Sequence, residues 1–217
     1  MQLDSGNNLL TVKGLSLSPE VGSGLGSIFF QLAPGEVVWI TGPSGIGKTT
    51  VLRILARLSE STGEVSLDGV PWTQVPPVQW RKRVVYLHQK PVLFRGTVLE
   101  NFRRAFSFHC RSSERLDLEF AGALLSRLLL KEQVLHQDAH LLSVGESARV
   151  ALVRALLVNP QILLIDEITA ALDSQSRDEV VSLLKEWLSS RRRGIVGVSH
   201  DDHVKQNLAG RQLFLDR

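Results

Sequence analysis

Eight consecutive residues, Gly42-Pro43-Ser44-Gly45-Ile46-Gly47-Lys48-Thr49, set three glycines, a lysine and a hydroxyl at the spacing G-x-x-x-x-G-K-[ST]. Glycine lets a backbone curl until successive N–H groups point inward, and such a nest binds phosphate oxygens. Lys48 adds a positive charge for β- and γ-phosphates, the Thr49 hydroxyl supplies one oxygen to Mg2+, and Thr50 continues the same polar turn. A second cluster lies far down the chain, where the apolar run Ile162-Leu163-Leu164-Ile165 ends in two acids, Asp166 and Glu167. Asp166 suits a metal ion held through water, and Glu167 suits a carboxylate that polarises water attacking a γ-phosphate. Together the two clusters read as a nucleotide site. The loop alone leaves kinase, GTPase and ATPase chemistry open.

These groups can work together only if the fold brings them to one edge. Short β-type runs alternate with helical patterns at residues 37–41 and 49–58, then 162–166 and 176–188, and a further strand pattern covers 194–199. That alternation predicts an α/β domain with parallel strands, whose carboxyl ends are where ligands bind. Residues 9–17 and 27–32, separated by the turn-rich 19–26, and 64–67, closed by Asp68-Gly69, read as antiparallel strands beside that core. From 98 to 142 the strand signal disappears. Leu116, Phe120, Leu124, Leu125 and Leu128 recur at helical steps, which predicts an inserted helical subdomain. The expected organisation is one domain over 1–217, with 1–97 and 143–217 forming the core and its antiparallel part and 98–142 the helical insertion.

Composition narrows the classes further. The chain has 217 residues, enough for one well-cored domain, and a net charge of +3. No stretch approaches the roughly 18 to 20 apolar residues needed to cross a bilayer. Residues 1–8 are polar and carry Asp4, unlike a secretory signal, so a cytosolic location is expected. A single cysteine, Cys110, rules out an internal disulfide. The basic run Arg191-Arg192-Arg193 has no interleaved aromatic residues, and reads as a helix-end cap rather than a nucleic-acid platform.

At this point the residues resemble a family, the ATP-binding subunits of ABC transporters, over nearly the whole chain. Gln89, within Leu87-His88-Gln89-Lys90-Pro91-Val92-Leu93-Phe94, resembles the Q-loop, whose glutamine touches Mg2+ and the attacking water and whose following turn meets the membrane subunit. Leu142-Ser143-Val144-Gly145-Glu146 looks like the signature motif, which closes over the γ-phosphate of the opposite subunit. Ala171-Leu172-Asp173 is similar to the D-loop, and His200 in Val198-Ser199-His200-Asp201 matches the switch histidine. The resemblance implies a P-loop NTPase fold of the ABC type: a mostly parallel sheet, an antiparallel β subdomain and an inserted helical subdomain. It also implies ATP and Mg2+ as cofactors and dimerisation with a second ATP-binding subunit, a homodimer on this sequence. A separate transmembrane permease would be the further partner, with this chain peripheral on the inner face of the membrane. Glu167, His200 and Gln89 become the catalytic set. Gly42 to Thr50 hold the nucleotide, with Ser143, Val144, Gly145, Glu146 and Asp173 acting in trans, and Thr49, Gln89 and Asp166 hold the metal.

Two departures bear on that reading. Val144 stands where the signature has its first glycine, which should restrict the backbone and add bulk beside the incoming phosphate. No aromatic residue precedes the loop between Leu9 and Ser27 to stack on a base, which predicts weak discrimination between ATP and GTP. Other classes fit less well. The Asn-Lys-x-Asp pattern of GTPases is missing, and a small-molecule kinase has no use for Ser143 to Glu146 or His200. The soluble ABC proteins of DNA repair or translation carry a long coiled coil or two fused halves. A weakly hydrolysing regulatory module stays open because of Val144. Ile40 to Gly45, Pro91 to Gly96 and Asp166 to Asp173 together look like the small stand-alone subunits associated with bacterial metal (iron) export.

Overall fold

Strands that are apolar at every position need cover on both faces, and the central sheet obtains it. In the computed structural model, which describes residues 8–17, 26–107, 115–190 and 192–216, β3 (Val37–Thr41), β6 (Val84–Leu87), β7 (Ile162–Asp166), β8 (Gly194–Val198) and β9 (Arg211–Phe214) form an all-parallel sheet in the order β6-β7-β8-β3-β9. Successive side chains on a strand face opposite ways. Accordingly Val37, Trp39, Leu163, Ile165 and Ile195 enter one hydrophobic cluster, while Val38, Ile40, Ile162, Leu164 and Val196 enter the other.

The second cluster is closed by an antiparallel sheet in the order β2-β1-β4-β5, from β1 (Leu10–Ser16), β2 (Ile28–Leu32), β4 (Thr62–Leu67) and β5 (Val70–Pro71). Asp68 and Gly69 turn β4 into β5 with φ of 50° and 77°, the left-handed pair that a two-residue hairpin requires. Helix α1 (Lys48–Leu55) lies in this layer, and α2 (Pro77–Arg83) is tied to its end by the buried Trp80, whose indole donates to Leu55 O at 2.8 Å.

The first cluster is closed by helices. Between β6 and β7 the described residues form α3 (Val98–Phe106), α4 (Leu118–Arg127), two short 3-10 turns and α5 (Val144–Leu157); α6 (Ser174–Ser189) and α7 (Asp202–Asn207) follow. The stretch from 98 to 142 contains no strand among its described residues, and its two ends are pinned together. Val98 N–H donates to Gln137 O at 3.1 Å and Ala139 N–H to Gly96 O at 2.9 Å. On α4 the buried face is Ala121, Leu124, Leu125 with Leu128 beyond it; Phe120, expected on that face, is 48% exposed because the inward stripe runs through Ala121 instead. At the end of α6, Arg193 donates to Trp187 O at 3.0 Å, a helix-end cap. Residues 1–7 and 19–25, Cys110 and Arg191, on which expectations also fell, lie outside the described residues. No helix among the described residues is long and apolar enough to cross a membrane.

Candidate functional site

Parallel strands send their carboxyl ends to one edge, so Thr41, Leu87, Asp166 and Val198 release the chain into the same region. From β3 the phosphate loop begins at once. Gly42, Gly45 and Gly47 take φ of 142°, 77° and 108°, and a Cβ on Gly47 would stand 2.7 Å from the Leu17 side chain. Gly47 is followed by the first turn of α1, which has neither a side-chain cap nor an acidic residue, so its N–H groups are kept for an anion. The Lys48 ammonium folds back on the loop, donating to Gly42 O at 2.8 Å and Pro43 O at 3.0 Å. Pro43, Ser44 and Thr49 are exposed, while Ile46 is buried and anchors the loop.

The acids arrive from β7. Asp166 is only 2% exposed, and its Oδ2 accepts from the Tyr86 hydroxyl at 3.0 Å. Burial first, then the negative charge of Asp166, push the Tyr86 hydroxyl well above the usual phenol range, so it remains a donor. Glu167 extends the strand by one bond, its N–H donating to Val198 O at 2.9 Å, but takes φ of 48°. A non-glycine residue in the left-handed region is uncommon and strained, and clusters at functional sites. Here the twist turns the carboxylate between two partners: Oε2 lies 3.4 Å from Gln89 Nε2 and Oε1 lies 3.4 Å from His200 Nε2. The next residue, Asp201, caps α7 and pairs with Arg177 at 3.0 Å. The three expected catalytic residues therefore meet beside Asp166.

A second cluster forms elsewhere in the chain. Ser143 caps α5, its hydroxyl accepting from Glu146 N–H at 3.2 Å, while Glu146 Oε2 accepts from Ser143 N–H at 2.9 Å. These bonds to Ser143, backbone then side chain, hold the Glu146 carboxyl below its ordinary range. Gly145 is packed against the segment expected to be the D-loop: a Cβ there would stand 3.2 Å from Ala171 O. Asp173 caps α6 through Ser176, whose hydroxyl accepts from Arg149 on α5 at 3.0 Å. Val144 opens the helix, so its backbone is ordinary; only the added bulk remains from the two effects expected of it, and that side chain is exposed. Among the described residues no hydrogen bond or ion pair joins Ser143–Glu146 or Asp173 to the phosphate loop, Asp166 or Glu167.

Two groups of contributors escaped the sequence reading. Tyr86 is one; an aromatic hydroxyl in a strand next to the acid-bearing strand was the available signal. The other is Asn101, which is fully buried and holds the turn after Gln89: its side chain accepts from Phe94 N–H at 2.7 Å and donates to Phe94 O and Thr97 O at 3.0 Å each. Arg154 from α5 joins it, donating to Asn101 at 3.2 Å and Val92 O at 2.7 Å, and Phe94 carries the Arg104 guanidinium 4.5 Å from its ring centre. Beside this turn runs a groove of about 510 Å3, with Leu58, Val78, Tyr86, Phe94, Ala151 and Val158 among its walls. Arg81, Lys82 and Arg154 line it as well, and among the described residues no acidic one does.

A glycine-rich loop between a parallel strand and a helix, with strand-end acids beside it, defines a P-loop NTPase with an α/β core. Comparison with known proteins narrows the class. Residues 25–170 match the ABC transporter family. The chain is 35% identical over 179 residues to the probable iron export ATP-binding protein FetA of Escherichia coli, covering 82% of this chain and 78% of that one. It is 38% identical over 183 residues to ABC transporter I family member 17 of Arabidopsis thaliana, covering 84% and 68%. Among solved structures, the ATP-binding cassette MJ0796, in a dimeric post-hydrolysis state bound to ADP and Pi, superposes with a TM-score of 0.81 at 28% identity, covering 95% of this chain and 94% of that one. The chain belongs to the ABC transporter family and is an ATPase of the type that family uses as its ATP-binding subunit.

Proposed function

We propose that this chain binds Mg-ATP and hydrolyses it to drive a membrane transporter, completing its sites by pairing head to tail with a second copy of itself. The observation that carries the reading is the meeting of Glu167 with Gln89 and His200 beside Asp166, with Ser143–Glu146 and Asp173 forming a separate cluster. In this account Gly42 to Thr50 hold the phosphates, Glu167 polarises the attacking water, and His200 and Gln89 orient around it. The expected donors to the metal are the Thr49 hydroxyl, the Gln89 amide oxygen and the Asp166 carboxylate, an all-oxygen set that suits a hard divalent cation such as Mg2+. When bound, the cation supplies positive charge at the β- and γ-phosphates. Ser143, Val144, Gly145 and Glu146, with Asp173, would face the partner's nucleotide.

The membrane partner is supported by the groove beside the turn after Gln89. Its apolar walls and basic rim suit an amphipathic segment from the cytoplasmic side of a permease, one that carries acidic residues. Residues 98–142 then act as a helical subdomain that borders the groove and carries the signature at its end, and the chain works as a peripheral subunit on the inner membrane face. Similarity to the FetA protein makes metal export the first cargo to examine.

An ATPase assay of the parent and of Glu167→Gln tests the chemistry. Turnover in the parent should fall by a factor of about 100 or more in the variant, the scale of a lost general base, while ATP binding persists. A parent without measurable turnover would leave an ATP-binding regulatory module as the better account.

A further inference from the structure

We propose that Tyr86 is a positioning residue for Asp166, fixing the carboxylate that meets the metal and doing so from the wall of the partner groove. The inference rests on the reading of Asp166 as a metal-binding residue.

Strands β6 and β7 run parallel with Tyr86 opposite Leu164 and Leu87 opposite Ile165. This register stops the tyrosine ring just short of the β7 end, so that its hydroxyl reaches forward to Asp166 Oδ2 at 3.0 Å. Asp166 is 2% exposed, and among the described residues Tyr86 makes its only side-chain hydrogen bond. A buried carboxylate with two oxygens and one bound donor has one oxygen committed and one left over. The tie on Oδ2 fixes the rotation of the group and leaves Oδ1 for a cation. Residues that fix a metal-binding group from behind commonly matter for affinity nearly as much as the ligands themselves.

The same residue is half-buried and lines the groove beside α2 and α5. A phenylalanine would fill that wall equally well but could not reach the acid with a donor. Strand β6 and the residues just after it thus lend one donor to each acid, Tyr86 to Asp166 and Gln89 to Glu167. A segment pressed into the groove would touch the ring whose far end holds the metal carboxylate.

The test uses the full chain in the Glu167→Gln background, with protein in excess over ATP so that the nucleotide is bound, and titrates Mn2+ while following its free EPR signal. Adding Tyr86→Phe should raise the Mn2+ concentration for half-saturation by about tenfold. ATP affinity in EDTA and the thermal midpoint should stay at the parent values, since the ring and its packing are kept. Adding Asp166→Asn instead should weaken Mn2+ binding by more than Tyr86→Phe does, since a donor itself is replaced while Thr49 and Gln89 remain. If Tyr86→Phe overlays the parent while Asp166→Asn weakens metal binding, Tyr86 is a groove residue only and the proposal is overturned. If Asp166→Asn also overlays the parent, the metal role of Asp166 has failed, and the proposal falls with it.

Discussion

Two neighbouring positions, Val144 and Gly145, show how a motif's residues divide their duties. Val144 is the first residue of α5, is 61% exposed, and meets nothing that its methyl groups would strain. Gly145 faces inward, where a Cβ would come 3.2 Å from Ala171 O, tighter than ordinary carbon contacts. The glycine the fold needs is therefore the second one. Replacing Val144 with Gly should leave stability within about 1 kcal/mol, the spread of helix propensity, and leave turnover at or above the parent level. Gly145→Val should push the start of α5 away from residues 171–173 and lower turnover by at least an order of magnitude, on a scale where about 1.4 kcal/mol is tenfold. Steady-state ATPase rates with thermal midpoints decide it; a Val144→Gly protein slower than the parent would mean that the isopropyl group makes a productive contact with a partner. The sequence identified Val144 as irregular. It could not say which way the side chain points, because that depends on the helix beginning at 144.

At the scale of elements, the strands were the most legible part. Ile162 to Ile165 is apolar at every position because helices and the antiparallel sheet cover both faces, and such a run has few other readings. Helix starts were less legible. The helical pattern expected from 176 begins at 174 in the structure, and α5 begins at Val144, where Ser143-x-x-Glu146 is itself a capping-box signal. Asn101 was beyond reach, and Tyr86 offered only an aromatic hydroxyl in a strand pattern, since their roles depend on register and on turns that bring distant residues into contact. The capping box has a measurable signature in pH. Glu146 has a folded-state pKa below its ordinary 4.5, so its contribution is present above that value and is lost as pH falls through the lower folded value. Glu146→Ala should lower the thermal midpoint by about 2–4 °C at pH 7, corresponding to about 1 kcal/mol for a lost cap. The gap should close as the pH falls below 4.5, the ordinary value. A gap that persists unchanged into acid would mean the carboxylate contributes packing rather than charge. The same carboxylate holds the Ser143 hydroxyl at 2.8 Å, so a phosphate brought to Ser143 must displace or share it.

For the whole molecule, the decisive feature is that one chain carries two clusters with no bond between them among the described residues: the phosphate loop with its acids, and Ser143 to Glu146 with Asp173. If each working site takes one cluster from each of two chains, variants that damage different clusters must complement each other, and no arrangement within one chain can produce that result. Lys48→Ala removes the ammonium now bonded to Gly42 O and Pro43 O, and should abolish turnover as a homodimer. Gly145→Val spoils the other cluster and should be nearly inactive too. In an equal mixture, about half of the dimers combine one chain of each kind by random pairing under two-fold symmetry. In those dimers the loop of the Gly145→Val chain faces the intact signature of the Lys48→Ala chain, giving one sound site, while the opposite site carries both defects. Mixing should therefore recover up to about a quarter of the parent rate at equal total protein, given that two-fold pairing. Recovery should grow with protein concentration, as association requires. Rates in the mixture that equal the average of the two separate variants at every concentration would exclude shared sites, and Ser143 to Glu146 would then need a role within their own chain.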